Sequence, residues 1–254
     1  MQRAIALVAV LVFGIPLFAD PQPANSQPAA ASPTENATPT VTIPPELRGD
    51  LAMARQQYMA AIADYREAPA NSAQVWDKMG MAWHHLFAMD EARRDYQRAL
   101  RLRPNYSEAL NNLGAVYYAK KDYGKAIRYY RKALHLKPSA AVLSNLGTAY
   151  FAVGKASLGL DAYRSAFALD PKVFDINAVP MVIEPLPSKD RAQQDFCLAQ
   201  VFAASGRDIQ AIDYLRRALN EGFADRRKLL EDETLATLRA TPAFSQLLAE
   251  QKPQ

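Results

Sequence analysis

The chain has 254 residues, 50% of them hydrophobic, which is enough to bury a sizeable core in one or two domains. Its 30 Lys and Arg residues outweigh 26 Asp and Glu to leave a net charge of +4. The two signs interleave in stretches such as RRDYQRALRLR and DRRKLLEDE, a pattern of solvated helix faces that argues against a nucleic-acid partner.

In chain order, Met1-Gln2-Arg3 is a short basic start, Ala4 to Phe18 is an uncharged and mainly apolar run, and Ala19 closes it with a small residue. Residues 1–19 thus read as a secretory signal peptide, which places the chain in the periplasm or outside the cell. The run is shorter than the roughly 20 residues that span a bilayer. The only cysteine, Cys197, has no partner for an internal disulfide and reads as a small buried helix residue. Residues 20–45 contain seven prolines among Ala, Ser and Thr. With almost no large apolar side chains, they read as a disordered linker. Asn36-Ala37-Thr38 fits a glycosylation sequon, a short and weak signal.

Beyond Pro45 the apolar residues recur with the period of a helix. Leu110, Leu113, Gly114 and Tyr117 form one amphipathic face, and Tyr123, Ala126, Ile127, Tyr130, Ala133 and Leu134 form another. Lys120-Lys121-Asp122 between them is too short to join anything except an antiparallel pair. The unit then recurs: Gly80, Gly114 and Gly147; Tyr96, Tyr130 and Tyr163; Ala99, Ala133 and Ala166; Pro104, Pro138 and Pro171 all keep one register.

With a large residue before Leu-Gly, an aromatic after it, and then Ala, aromatic, Ala and Pro, the chain resembles the tetratricopeptide repeat family. That resemblance implies an all-α solenoid of antiparallel helix pairs winding as a right-handed superhelix. Three full units cover 73–106, 107–139 and 140–173. Gly159 departs from the family's alanine, present at Ala92 and Ala126, and is expected to loosen its helix pair. Gly49, Ala54, Tyr58, Ala61 and Ile62 keep second-helix spacing, so residues 46–72 read as a half-repeat, a single N-terminal capping helix. Gly206, Ala211, Leu215 and Ala218 mark a degenerate fourth repeat at 192–224, after an insertion at 174–191; in the apolar stretch KVFDINAVPMVIEPLPSK, residues 172–189, Val179, Met181, Val182 and Ile183 are expected to pack into the groove or over the seam between the third and fourth units, or to dock a partner. Residues 225–254 read as two short helices that cap the last apolar face.

No phosphate loop, zinc signature or nucleophile motif is present, so no cofactor, metal or catalytic step is expected. His84, His85 and His135 read as exposed histidines. The resemblance implies instead that first helices line a concave groove that binds a protein or peptide. The corresponding positions are Gln74, Asp77, Met81 and His84; Asn111, Ala115 and Tyr118; Ser144, Thr148 and Phe151; and Phe196 with Gln200. Met81, Tyr118 and Phe151 read as the apolar anchors of that groove. The family's carboxylate clamp is expected to be absent, because Asp77, Met81, Ala141 and Asn145 stand where its basic and amide residues belong. The expected function is an exported scaffold or adaptor; the alternative is an accessory or regulatory subunit of an envelope enzyme or assembly complex.

Overall fold

The computed structural model describes residues 42–175 and 188–250. The signal-peptide reading, nearly all of the linker and most of the insertion, including Val179, Met181, Val182 and Ile183, lie outside the described residues. Among those described there is no strand, and no helix is long and apolar enough to cross a membrane.

Ten helices form five antiparallel pairs: α1 (Pro45–Ala54) with α2 (Tyr58–Glu67), α3 (Ala73–His85) with α4 (Met89–Leu102), α5 (Ser107–Ala119) with α6 (Tyr123–Leu136), α7 (Ala140–Ala152) with α8 (Ala156–Leu169), and α9 (Ser188–Ala204) with α10 (Asp208–Asn220). Each second helix also packs on the next first helix, so the pairs stack into a solenoid. Pro104, Pro138 and Pro171 follow α4, α6 and α8 by two residues and stop them. Ser72 and Ser139 accept hydrogen bonds from the backbone N–H groups of Val75 and Val142 and thereby start α3 and α7.

The recurring glycine seats a tyrosine ring. A Cβ on Gly114 would lie 2.6 Å from Tyr130 Cε1, and one on Gly80 would lie 2.7 Å from Tyr96 Cδ1. Gly147 faces Tyr163 and Gly49 faces Tyr65 in the same way. In the fifth pair Ala199 and Leu215, both fully buried, stand at the equivalent positions. The narrower leucine leaves room for a Cβ, which is how the degenerate repeat stacks without the glycine. Each seated tyrosine is buried, and burying a large side chain contributes about 1.5 to 3 kcal/mol, more than the helix penalty of one glycine.

Two expectations need correction. Residues 46–72 hold a helix pair, not one capping helix: Gly49 belongs to the first helix and Tyr65 to the second, in the register of the other units but with shorter helices. Gly159 does not loosen its pair, because a Cβ there would lie 2.6 Å from the Phe151 ring, which fills the space. At the far end the chain closes the last apolar face with α11 (Arg226–Glu231), a 3₁₀ turn (Glu233–Leu235), α12 (Ala236–Arg239) and α13 (Pro242–Glu250), one short helix more than the sequence suggests. Leu229, Leu235, Leu238, Phe244 and Leu247 are buried there with Phe196, Phe202 and Leu215.

Every turn within a pair contains one residue in the left-handed region: Gln56 (φ 59°), Phe87 (φ 58°), Lys121 (φ 61°), Gly154 (φ 70°) and Gly206 (φ 73°). Each lies seven residues after its seat, so the turn is built to one geometry. A non-glycine residue in this conformation costs about 1 to 2 kcal/mol, part of which glycine returns through its freer unfolded state. Phe87→Gly, at a side chain that is 67% exposed, should therefore raise stability by about 0.5 to 1 kcal/mol, and Gly154→Ala should lower it by a similar amount, read from urea denaturation midpoints.

Candidate binding groove

First helices lie on the inner side of the stack: α3 touches α5, α5 touches α7 and α7 touches α9, with no comparable contact among the second helices. What each presents depends on its distance from the seat. The residue after the seat glycine reaches the hydroxyl of the seated tyrosine. Where it is polar it bonds: Tyr65 Oη donates to Asp50 Oδ1 at 2.8 Å, and Tyr163 Oη lies 2.8 Å from Thr148 Oγ1, with Gln194 Nε2 at 2.5 Å. Where it is Met81 or Ala115, the hydroxyls of Tyr96 and Tyr130 are buried without a hydrogen-bond partner. Thr148 is thus a core-capping residue.

A chain of carboxamides crosses three first helices. Asn112 Nδ2 donates to Asp77 Oδ1 at 3.1 Å, Asn111 Nδ2 to Asn112 Oδ1 at 3.3 Å, and Asn145 Nδ2 to Asn111 Oδ1 at 3.1 Å. Asp77, Asn111 and Asn112 line a cavity of about 310 Å³ together with Met81, Glu108 and Lys137. Burial pushes the Asp77 carboxyl up to about 6, against the pull of the Asn112 hydrogen bond; neighbouring Glu108 adds to the rise.

Of the expected groove residues, the structure brings Asp77, Met81 and Asn111 together in this cavity. Gln74 is exposed and Ser144 half-buried on the same helix face. The rest differ from expectation. Tyr118 (3% exposed) and Phe151 (2% exposed) are core residues, in contact with Tyr123 and Tyr163 respectively, and do not present their rings as surface anchors. The reason is that a first helix is packed on three sides, by its own partner and by both neighbouring pairs, so the face opposite Leu-Gly is also covered. Ala115 and Phe196 are buried too, and buried Gln200 donates from Nε2 to Asp232 Oδ2 at 2.6 Å. His84 is buried as well, which with nearby His85 lowers its pKa to about 4; His85 stacks on Tyr58 at 4.7 Å. Asn112, Glu108 and Lys137 escaped the sequence reading. The asparagines two residues before the seat, Asn112 and Asn145, were the signal that could have found the first of them.

Two tetratricopeptide repeat family models match the chain, one over residues 107–139 and one over residues 88–121. The chain thus carries tetratricopeptide repeats within residues 88–139. Curated relatives include Hsp70-Hsp90 organizing protein 1 of Glycine max, 28% identical over 95 residues, or 36% of this chain and 17% of that protein. Another is anaphase-promoting complex subunit 3 of Schizosaccharomyces pombe, 27% identical over 107 residues, or 41% of this chain and 16% of that one. The chain therefore spans less than a fifth of the length of these relatives. Among solved structures, PilF of Pseudomonas aeruginosa has a similar fold, with a TM-score of 0.52 at 17% identity over 82% of this chain and 96% of that one. A structure of MamA gives a TM-score of 0.50 at 18% identity, covering 70% of this chain and 98% of that one.

The folded Asp77 carboxyl, at about 6, lies above the roughly 3.9 of an unfolded aspartate. The folded state therefore holds the proton more tightly between about pH 4 and 6, and this contribution to stability is lost as pH rises through that window. His84 acts in the opposite direction, losing stability as pH falls from about 6.5 towards 4. Asp77→Asn keeps the acceptor for Asn112 and removes the buried charge. It should match wild type near pH 4 and exceed it by on the order of 2 kcal/mol at pH 7, read from urea unfolding at a series of pH values.

Proposed function

We propose that this chain is a non-catalytic scaffold that binds an extended peptide segment of another protein along its inner face, at the cavity between α3, α5 and α7. The observation that carries this reading is the carboxamide chain from Asp77 through Asn112 and Asn111 to Asn145. An extended peptide presents N–H and C=O groups in alternation, and asparagine carboxamides offer a donor and an acceptor to match them. Met81 supplies an adaptable apolar contact beside them. Buried aromatic rings contribute rigidity here, and the recognition rests on amides.

The acids Asp77 and Glu108 at this cavity, with Lys137 as the cation beside them, disfavour a terminal carboxylate as the ligand. An internal segment of a partner fits better than a chain terminus. The names of the relatives, one an organizing protein and one a subunit of a complex, support an assembly role of this general kind. The basic start and apolar run of residues 1–19 support export, so the partner would be an envelope or extracellular protein.

A crosslinked pulldown from the native envelope fraction, comparing wild type with Met81→Ala/Asn111→Ala, tests the reading. Both side chains are only half-buried, so the fold should survive, as circular dichroism would show. The captured set should fall at least about tenfold, the equivalent of losing a hydrogen-bonded contact and an apolar one. An unchanged captured set would overturn the groove assignment.

A further inference from the structure

Charge is distributed unevenly along this chain. Residues 123–160 contain six Lys and Arg and no Asp or Glu, so the remainder, with 24 basic and 26 acidic residues, is slightly acidic. The interleaving of signs that argues for a solvated surface elsewhere fails on α6. Four of these cations lie within that helix, on the opposite side of the solenoid from the groove.

A cavity of about 750 Å³ runs along α6, walled by Arg128, Arg131, Lys132 and His135 and floored by Leu110, Ile127 and Leu136. No carboxylate among the described residues lines it. Lys125 pairs with Asp122 at 2.5 Å and Lys137 with Glu108 at 3.7 Å, but among the described residues Arg128, Arg131 and Lys132 have no carboxylate within ion-pair distance. Two of them are held by a ring instead: Arg128 lies 5.4 Å and Lys132 5.7 Å from the Tyr129 ring centre, and Tyr129 itself stacks on Tyr117 at 5.3 Å. This arrangement fixes like charges side by side, a repulsive one on a bare helix. Gly124 leaves the start of the cleft open, with nothing within 4 Å of its missing side chain. From Gly124 to His135 the cleft follows α6 for about 17 Å.

We propose that this cleft is a second docking site, on the outer face, for an acidic amphipathic segment of a partner protein. Charge complementarity selects acidic side chains for the basic wall, and the aliphatic floor selects Leu, Ile or Val between them. Nucleic acid suits the site less well, since its bases stack on aromatic platforms and this floor is aliphatic. A flat membrane surface likewise matches a concave cleft poorly. The site is independent of the groove, so one chain could hold two partners at once.

The test is fluorescence anisotropy with a labelled peptide of Leu-Glu-Glu-Leu repeated three times. An all-Glu peptide of equal length serves as the charge control, and phosphatidylglycerol vesicles as the membrane control. The Leu-Glu peptide should bind at least tenfold more tightly than the all-Glu peptide. Arg131→Glu/Lys132→Glu should weaken it at least tenfold, and Arg131→Gln/Lys132→Gln should weaken it by a smaller factor. Arg55→Glu/Lys155→Glu, with the same change in net charge at exposed turn positions, should stay within twofold of wild type. Equal binding of the two peptides, an equal loss in the Arg55/Lys155 variant, or an α6-dependent affinity for vesicles with none for the peptide would each overturn the proposal.

Discussion

In four of the five helix pairs a tyrosine ring of the second helix occupies the space where a first-helix Cβ would stand, and the rest of the solenoid is arranged around that contact. Seat and ring are sixteen residues apart in every pair: Gly49 and Tyr65, Gly80 and Tyr96, Gly114 and Tyr130, Gly147 and Tyr163. Ala199 and Leu215 keep the same interval with a smaller ring-free side chain. Such a fixed interval requires a turn of one length and one shape, which accounts for the left-handed residue seven positions after each seat, even where that residue is Phe87, Lys121 or Gln56. Between pairs no such constraint acts. The links before α3, α5 and α7 differ in length and the one before α9 carries an insertion, yet all of these pairs stack.

The same contact distributes chemistry between the two faces. Because the ring reaches through to the residue beyond the glycine, that position joins the core's hydrogen bonding where it is polar, as Asp50 and Thr148 show, and faces the groove at Met81. The polar contacts of the inner surface come from the neighbouring rows, where Asp77, Asn111, Asn112 and Asn145 join three helices through their side chains. A buried carboxylate with its pKa raised to about 6 is tolerated at one end because Asn112 donates to it. The second helices α4, α6 and α8 bury only their seated ring and small residues, which leaves an outer face such as that of α6 free to vary in charge.

Much of the fold could be read from residue spacing alone, because glycine, tyrosine, alanine and proline each satisfy a steric demand that few other residues meet. The first pair misleads for a definite reason: Gly49 also fits second-helix spacing, while its true partner, Tyr65, lies in the helix that follows. Gly159 resembles a weakened alanine in sequence, but the Phe151 ring fills its place, a compensation between two helices that one-dimensional spacing does not display. The groove is less legible. A helical period divides residues into a buried and an exposed face, but a first helix has three packed sides, and Tyr118 and Phe151 fall on one of them. The α6 cleft is hidden because charge averaged over the whole chain conceals a stretch that has no acids.

The central claim, that glycine is required because a tyrosine ring takes its place, is tested most directly by a double-mutant cycle. Gly114→Ala, Tyr130→Leu and the double variant would be compared with wild type by urea denaturation. If the ring and the Cβ compete for one space, Gly114→Ala costs about 1 to 3 kcal/mol next to Tyr130 and far less next to the smaller leucine side chain of the double variant, as in the natural pair Ala199 and Leu215. A coupling of at least about 1 kcal/mol is the predicted result. Additivity to within about 0.3 kcal/mol would show that the glycine serves some other purpose and would contradict it.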